Sequence, residues 1–105
     1  MWICLKDSFL SIVAKDCAPD ELLVRARRPG DIERLWPDAA VREGGGTDYR
    51  FRAAIPRAKV AAAIADALTG IDYGNFKNEV DDPALHDAYL DVWHALARLQ
   101  PYGRR

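Results

Sequence analysis

The pattern of hydrophobic and polar positions predicts strands in the first half of the chain. Residues 2–6 and 9–15 are apolar and rich in β-branched or aromatic side chains, and the polar Lys6-Asp7-Ser8 break between them is typical of a hairpin turn. Pro and Gly residues separate further short apolar runs. Five strands are therefore predicted, over residues 2–6, 9–15, 22–28, 39–43 and 49–55.

Helical signals lie between and after these strands. A short helix is predicted over 31–36, where carboxylates occupy the first turn and Pro37 ends the run. An alanine-rich helix is predicted from Pro56 to Leu68. Four of its residues are expected on one buried face: Val60, Ile64, Ala67 and Leu68.

The last helix has the clearest signals. Asp82 is a favoured N-cap residue, Pro83 suits the first helical position and Pro101 follows the apolar repeat. One line of apolar residues is predicted to face the core: Leu85, Tyr89, Val92, Leu96 and Leu99. A second line is formed by Leu90, Trp93 and Ala97. We expect Trp93 to be buried, the alternative being an exposed interface for a partner or a second copy.

The order of elements predicts an α+β fold. From Leu22 to Leu68 the order is β-α-β-β-α, which is typical of a split βαβ or ferredoxin-like core and places strand 22–28 beside strand 49–55. The N-terminal hairpin then extends an antiparallel sheet to about five strands, and the long helix follows it. We expect one domain over residues 1–101, a flexible glycine loop over 44–48 and a frayed tail over 102–105.

Composition and charge narrow the class of protein. The chain has 105 residues with 15 Lys and Arg against 16 Asp and Glu, so the net charge of -1 indicates neither nucleic acid nor a membrane as a partner. No basic segment precedes the first apolar residues as in a signal peptide, which predicts a cytoplasmic protein. Cys4 and Cys17 lack the spacing of zinc ligands and are expected to be reduced, so no metal or other cofactor is predicted.

Arginines alternate with apolar residues on the two predicted central strands, whereas Tyr49 is predicted to point to the opposite face. Like charges facing each other destabilise a sheet, so something must compensate them. Guanidinium groups suit phosphate or carboxylate ligands of a partner, or they pair with Glu21, Glu43 or Asp48 of the same chain. The candidate binding face comprises Arg25, Arg27, Arg42, Arg50 and Arg52.

The connector over 71–78 is a second candidate site, because binding residues often lie on loops held by a rigid scaffold. Tyr73 and Phe76 could stack on a ligand, with Asn75 and Lys77 supplying polar contacts. Alternatively, the aromatic pair fastens the loop to the core.

Catalytic signals are weak. His86 and His94 are eight residues apart on one helix, so they lack the i, i+4 spacing of a helical metal pair. Asp91 lies three residues before His94 and could orient it as a general base. No nucleophile motif accompanies them.

Several segments together resemble a group of short bacterial and phage proteins without an assigned activity. They include Asp48-Tyr49-Arg50-Phe51-Arg52, Tyr73-Gly74-Asn75-Phe76-Lys77 and the run from His86 to Trp93. The resemblance implies a bacterial or phage origin and transfers no catalytic residue.

Three functional hypotheses follow. The first is a non-catalytic protein-binding module, such as an inhibitor of a host defence nucleoprotein like a CRISPR effector. The alternative is a single-stranded nucleic-acid binder using the arginine face. The third is a small hydrolase or nuclease using Asp91 and His94. Both a monomer and a homodimer are compatible with the sequence.

Overall fold

A five-stranded antiparallel sheet organises the first part of the chain. The computed structural model describes residues 1–44 and 48–101. The sheet order is β1-β2-β3-β5-β4, and every neighbouring pair is antiparallel. The predicted α+β class and five-stranded antiparallel sheet are confirmed. The strands are β1 (Trp2–Cys4), β2 (Phe9–Val13), β3 (Glu21–Ala26), β4 (Arg42–Glu43) and β5 (Phe51–Pro56).

One face of this sheet carries the hydrophobic core. Val24 lies opposite Ala53 and Ala26 opposite Phe51, and directly paired residues of antiparallel strands project to the same side. Ile32 and Trp36, which precede β4, cover this face together with Val60 from the helix that follows β5. The core cluster comprises Leu10, Ile12, Val24, Ala26, Ile32, Trp36, Phe51, Ala53, Ile55 and Val60.

The segment predicted as a helix over 31–36 consists of hydrogen-bonded turns instead. The amide of Trp36 donates to the carbonyl of Ile32 at 3.0 Å, but no regular helix follows. Pro37 ends the segment directly after Trp36, and a stretch this short gains little from helix propagation. Ile32 and Trp36 nevertheless reach the core, so the segment contributes anchors without a helix.

The strand predicted over 39–43 is reduced to its last two residues. The amide of Ala39 donates to the carbonyl of Trp36, and the amide of Val41 donates to the carbonyl of Ala39, both at 3.0 Å. Because these local bonds occupy the amides, the chain joins the sheet only from Arg42 onward.

Two α-helices follow the sheet: α1 (Arg57–Thr69) and α2 (Pro83–Ala97), with a single 3₁₀ turn at Lys77–Glu79 between them. In α1 Val60 is buried, but Leu68, predicted on the same buried face, is 63% exposed. The carboxylate of Asp82 accepts a hydrogen bond from the Leu85 amide at 3.0 Å and caps α2 as its sequence indicates.

The chain forms two compact units. The first, Met1–Asp72, contains the sheet and α1, and the second begins at Tyr73 and contains α2. The single domain expected over 1–101 stays a prediction. The tail predicted over 102–105 and most of the loop predicted over 44–48 lie outside the described residues. Within the described ranges, neither helix combines the length and apolar composition needed to cross a bilayer.

Candidate functional site

The sheet register places three of the candidate arginines in one row. Arg25 on β3 lies opposite Arg52 on β5, and Arg52 lies opposite Arg42 on β4. Their side chains therefore project from the same face. Ser11 of β2 and Trp2 of β1 continue the row to the other edge of the sheet.

Tyr49 lies on this arginine face, so the prediction that it points to the opposite side is wrong. The guanidinium carbons of Arg25 and Arg27 lie 4.5 Å and 4.3 Å from the centroid of its ring. Arg27 Nη1 donates to the carbonyl of Asp48 at 2.9 Å, and Arg52 Nη2 donates to the carbonyl of Tyr49 at 2.8 Å. β5 begins at Phe51, two residues after Tyr49, so the alternation of side chains along the strand does not fix the direction of the Tyr49 side chain. We call Arg25, Arg27, Arg52 and Tyr49 the arginine clamp.

The clamp shows how like charges are accommodated on neighbouring strands. Arg25 Nη2 donates to Ser11 Oγ at 2.7 Å, so each guanidinium of the clamp has a neutral oxygen acceptor. Such bonds and the cation–π contacts stabilise the guanidinium groups without cancelling their charge. In the part of the chain that the structure describes, Arg25 and Arg27 form no ion pair with a carboxylate.

Arg50 and Arg42 lie outside the clamp. Arg50 Nη2 is 2.6 Å from Glu43 Oε2, and its guanidinium carbon is 5.6 Å from the ring centroid of Phe51. Glu43 is one of the carboxylates that the sequence offers as a partner. Arg42 is exposed on the edge strand.

The arginine face is partly buried. Ser11 and Leu23, which lie on it by register and alternation, are each 1% exposed, and Tyr49 is 4% exposed. Trp2 is 73% exposed at the sheet edge, and its ring meets the Phe9 ring edge-on at 6.3 Å. Trp2 is missing from the predicted site, although its place in the N-terminal hairpin is the signal that could have put it on this face.

A buried carboxylate is also missing from the predicted site. Asp31 is 2% exposed, and its Oδ2 accepts a hydrogen bond from the Phe9 amide at 3.2 Å. Arg28 Nη2 lies 3.4 Å from Asp31 Oδ1. From the sequence, Asp31 is only a carboxylate in the first turn of a predicted helix. In the structure its carboxylate joins β2 to the turn after β3.

The candidate loop packs against α2 within the second unit. The ring of Phe76 lies 5.9 Å from that of Tyr73 and 5.5 Å from that of Tyr89. Lys77 Nζ lies 4.5 Å from the ring centroid of Trp93, whereas Asn75 is exposed. The loop and Trp93, predicted as two sites, therefore belong to one surface.

The apolar line of α2 is buried only in its first half. Leu85 and Tyr89 are 6% and 7% exposed. The next members of the line and the neighbouring Trp93 are exposed, so the expected burial of Trp93 and of the whole line is wrong. This α2 patch comprises Val92 (42% exposed), Trp93 (50%), Leu96 (58%) and Leu99 (78%).

Asp91 and His94 are the pair that the sequence offers for the hydrolase or nuclease hypothesis. Asp91 and His94 are both exposed, and the described hydrogen bonds do not join them. The His94 ring meets the Trp93 ring edge-on at 5.1 Å. Partial burial raises the pKa of the Cys4 thiol, which disfavours the reactive thiolate.

Neither a metal cluster nor a charged cavity stands out among the described residues. No three His, Cys, Asp or Glu side chains of the described ranges gather as a metal site. A pocket of about 350 Å³ lies beside β5 and the start of α1. Asp38 and Lys59 are charged residues of its lining, and the other lining residues are uncharged.

Comparisons of the chain with protein-family models, curated proteins and solved structures found no match. The α2 patch is the chain's clearest departure from an ordinary soluble surface.

Proposed function

We propose that this protein is a non-catalytic protein-binding module and that the α2 patch is its contact surface. The observation that carries the proposal is the exposure of four large apolar side chains together at the end of α2. Single exposed apolar residues are ordinary, but contiguous patches mark contact sites. Trp93 is the expected anchor, because tryptophan is enriched among residues that dominate binding energy.

Lys77 defines the chemistry of the patch. Its ammonium group lies over the Trp93 ring, so a cation borders the apolar surface. A complementary partner surface is apolar with a carboxylate at its margin, which would meet Lys77 as the apolar groups meet Trp93.

A more specific form of the proposal concerns origin and target. A small chain with a net charge of -1 and a resemblance to short bacterial and phage proteins suits a cytoplasmic inhibitor that binds a host defence nucleoprotein, such as a CRISPR effector. This form rests on association with such proteins, whereas the contact surface rests on geometry.

We further propose that the sheet is a variant of the ferredoxin-like core. β4 and β3 flank β5, as the strands of a split βαβ unit do, and β2 takes the place next to β3. The turns over 31–36 stand where the first helix of that arrangement would lie.

A photo-crosslinking amino acid placed at position 93 tests the contact surface in bacterial cells. We expect one protein to be captured from position 93 and not from Ala62, an exposed position on α1. The purified partner should then bind the purified chain, and Trp93→Ala should weaken that binding at least about 30-fold, as at a hot spot.

The matched control is Leu68→Ala, which removes an exposed leucine from α1. It should leave the affinity for the purified partner within about twofold. Equal affinity of the parent and Trp93→Ala proteins would exclude the α2 patch as the contact surface.

Single-stranded nucleic-acid binding by the arginine face is a second proposal, favoured by exposed Trp2 in the same row as Arg42. The buried Ser11 and Leu23 interrupt the platform that stacked bases would need. We expect fluorescence anisotropy with a labelled oligothymidine to show weak, salt-sensitive binding at most.

The variant that tests this second proposal is Trp2→Ala, compared with Arg34→Ala, which removes a cation from another part of the chain. A specific site requires that Trp2→Ala weaken binding much more than Arg34→Ala does. Equal effects would indicate only nonspecific attraction.

A further inference from the structure

We infer that the pocket beside β5 binds an acidic, extended peptide segment of a partner protein, which adds a short strand to the sheet. This site lies within the first unit, whereas the proposed contact surface lies on α2 in the second. The inference therefore adds a binding site to the proposed function and depends on none of the residues of the α2 patch.

The backbone groups of Ala54 point away from β3. The Gly44 amide donates to the Arg50 carbonyl at 2.9 Å on the β4 side of β5, and the Arg57 amide donates to the Asp20 carbonyl at 2.8 Å on the β3 side. Backbone groups of successive strand residues point to alternate sides. The amide and carbonyl of Ala54 therefore face the β4 side, as those of Arg50 do.

β4 does not extend as far as this position. Arg42 lies opposite Arg52, so the same register would place Ala40 opposite Ala54. Instead, the Val41 amide donates to the carbonyl two residues earlier at 3.0 Å, and the chain leaves the sheet. Across the residues that the structure describes, neither backbone group of Ala54 has a hydrogen-bond partner. An amide and a carbonyl left open at a sheet edge are complementary to the backbone of another extended segment.

The open edge borders a pocket with room for such a segment. The pocket holds about 350 Å³, within the range of small binding sites. One wall is the chain before β4, and the other is the end of β5 with the start of α1. The Trp36 indole N–H donates to the Lys59 carbonyl at 3.2 Å and joins the two walls. The cavity is therefore formed before a ligand binds.

The directions of the side chains define the sequence that the site accepts. A residue paired with Ala54 projects to the same face as Ala54, which is the arginine face because Ala54 is two residues from Arg52. The residues on either side of it project to the other face, where Leu35, Trp36 and Ile55 line the pocket. The ligand therefore needs an apolar residue next to the paired residue.

Arg42 determines the charge of the paired residue. Asp38 and Lys59 also line the pocket, but their charges are opposite in sign. Arg42 is exposed, and within the described part of the chain it forms no ion pair. A glutamate paired with Ala54 is the diagonal neighbour of Arg52 and stands next in line to Arg42, at separations of about 7–8 Å that long side chains span. Glutamate at this position therefore complements the positive charge of this edge.

NMR titration of the full chain tests the inference with two capped peptides, acetyl-Thr-Leu-Glu-Leu-Thr-amide and the same peptide with lysine in place of glutamate. We expect the glutamate peptide to shift the Ala54 amide resonance most, and the lysine peptide to bind at least about threefold more weakly. Arg42→Glu should reverse this preference. Lys6→Glu, which makes the same change of charge beside β1 at the opposite edge of the sheet, should leave the preference unchanged.

Amide hydrogen exchange tests whether the edge is open. The Ala53 amide points to β3 and should exchange slowly with or without peptide. The Ala54 amide should exchange rapidly in the free protein and at least about tenfold more slowly with saturating glutamate peptide. Ala54→Pro removes this amide without removing a bond to β3 and should abolish peptide binding, whereas Ala54→Ser keeps the amide and should bind as the parent does. If Ala54→Pro does not fold, the exchange rates and the charge reversal still decide.

The inference is wrong if the Ala54 amide is as protected as the Ala53 amide in the free protein, because the chain itself then closes the edge. It is also wrong if the glutamate peptide causes no shift at about 5 mM, or if Arg42→Glu keeps the preference of the parent. None of these results bears on capture of a protein through position 93, so the two proposals can fail separately.

Discussion

At the scale of single residues, the arginine clamp changes the meaning of the charged sheet face. The sequence offers these arginines as ligands for a partner, but three of them hold Tyr49 and the carbonyls beside it. Arginine stacks on aromatic rings and donates from a planar fork, so it can serve as a structural group without a carboxylate. The contacts within the clamp therefore account for the presence of these arginines on the sheet face without a bound ligand.

Tyr49→Ala should destabilise the protein by about 3–5 kcal/mol, because it removes a buried aromatic ring and the cation–π contacts of Arg25 and Arg27. Urea unfolding measures the change. Tyr49→Phe is the matched control, since it keeps the ring, and it should cost much less. Equal losses for the two variants would assign the effect to the hydroxyl group and not to the clamp.

Asp31→Ala should cost about 2–3 kcal/mol, because it removes the buried carboxylate that accepts from the Phe9 amide and pairs with Arg28. Asp7→Ala provides a comparison in an exposed ion pair, where Arg34 Nη1 lies 4.0 Å from the Asp7 carboxylate. That variant should lose at most about 1 kcal/mol in the same unfolding experiment. Similar values for both would show that burial of Asp31 is unimportant.

At the scale of elements, neighbouring residues set where α2 begins. Which of its apolar residues are buried depends on what packs against the helix. The Asp82 cap and Pro83 set where the helix begins, as the sequence indicates. The apolar line has one spacing throughout, yet it is buried at Leu85 and exposed at Leu96. Spacing identifies the face of a helix, whereas burial depends on what packs against that face.

Asp82→Ala should lower the stability of α2 by about 0.5–2 kcal/mol, because the Leu85 amide loses its acceptor at the N-terminus. Far-UV circular dichroism during urea unfolding measures the change. Asp81→Ala removes a carboxylate next to the cap position and should have a much smaller effect. If Asp81→Ala were equally harmful, general charge at the helix N-terminus would account for the loss.

At the scale of the whole molecule, the central strands should be the most stable part of the structure. β3 is hydrogen-bonded on both sides and carries the buried Leu23 and Val24. Amide hydrogen exchange at micromolar concentration should therefore be slowest in β3 and much faster in the last turns of α2, where apolar side chains are exposed. Slow exchange of the Leu96 amide would contradict the exposure of this end of α2.

The sequence by itself determined those features that depend on neighbouring residues. Short apolar runs located β1, β2, β3 and β5, the Lys6-Asp7-Ser8 break indicated the N-terminal hairpin, and Asp82 and Pro83 indicated the start of α2. These signals act over a few residues, so they hold in any surroundings that bury the apolar side.

Only the tertiary structure decided what contacts a given side chain makes and which part of an apolar line is buried. It set Tyr49 among the arginines and exposed the second half of the α2 line. Each outcome depends on contacts between residues distant in sequence or on a contact that is missing. Local propensities are weak compared with the free energy of burial, and a single chain sequence does not specify which surface covers a given apolar face.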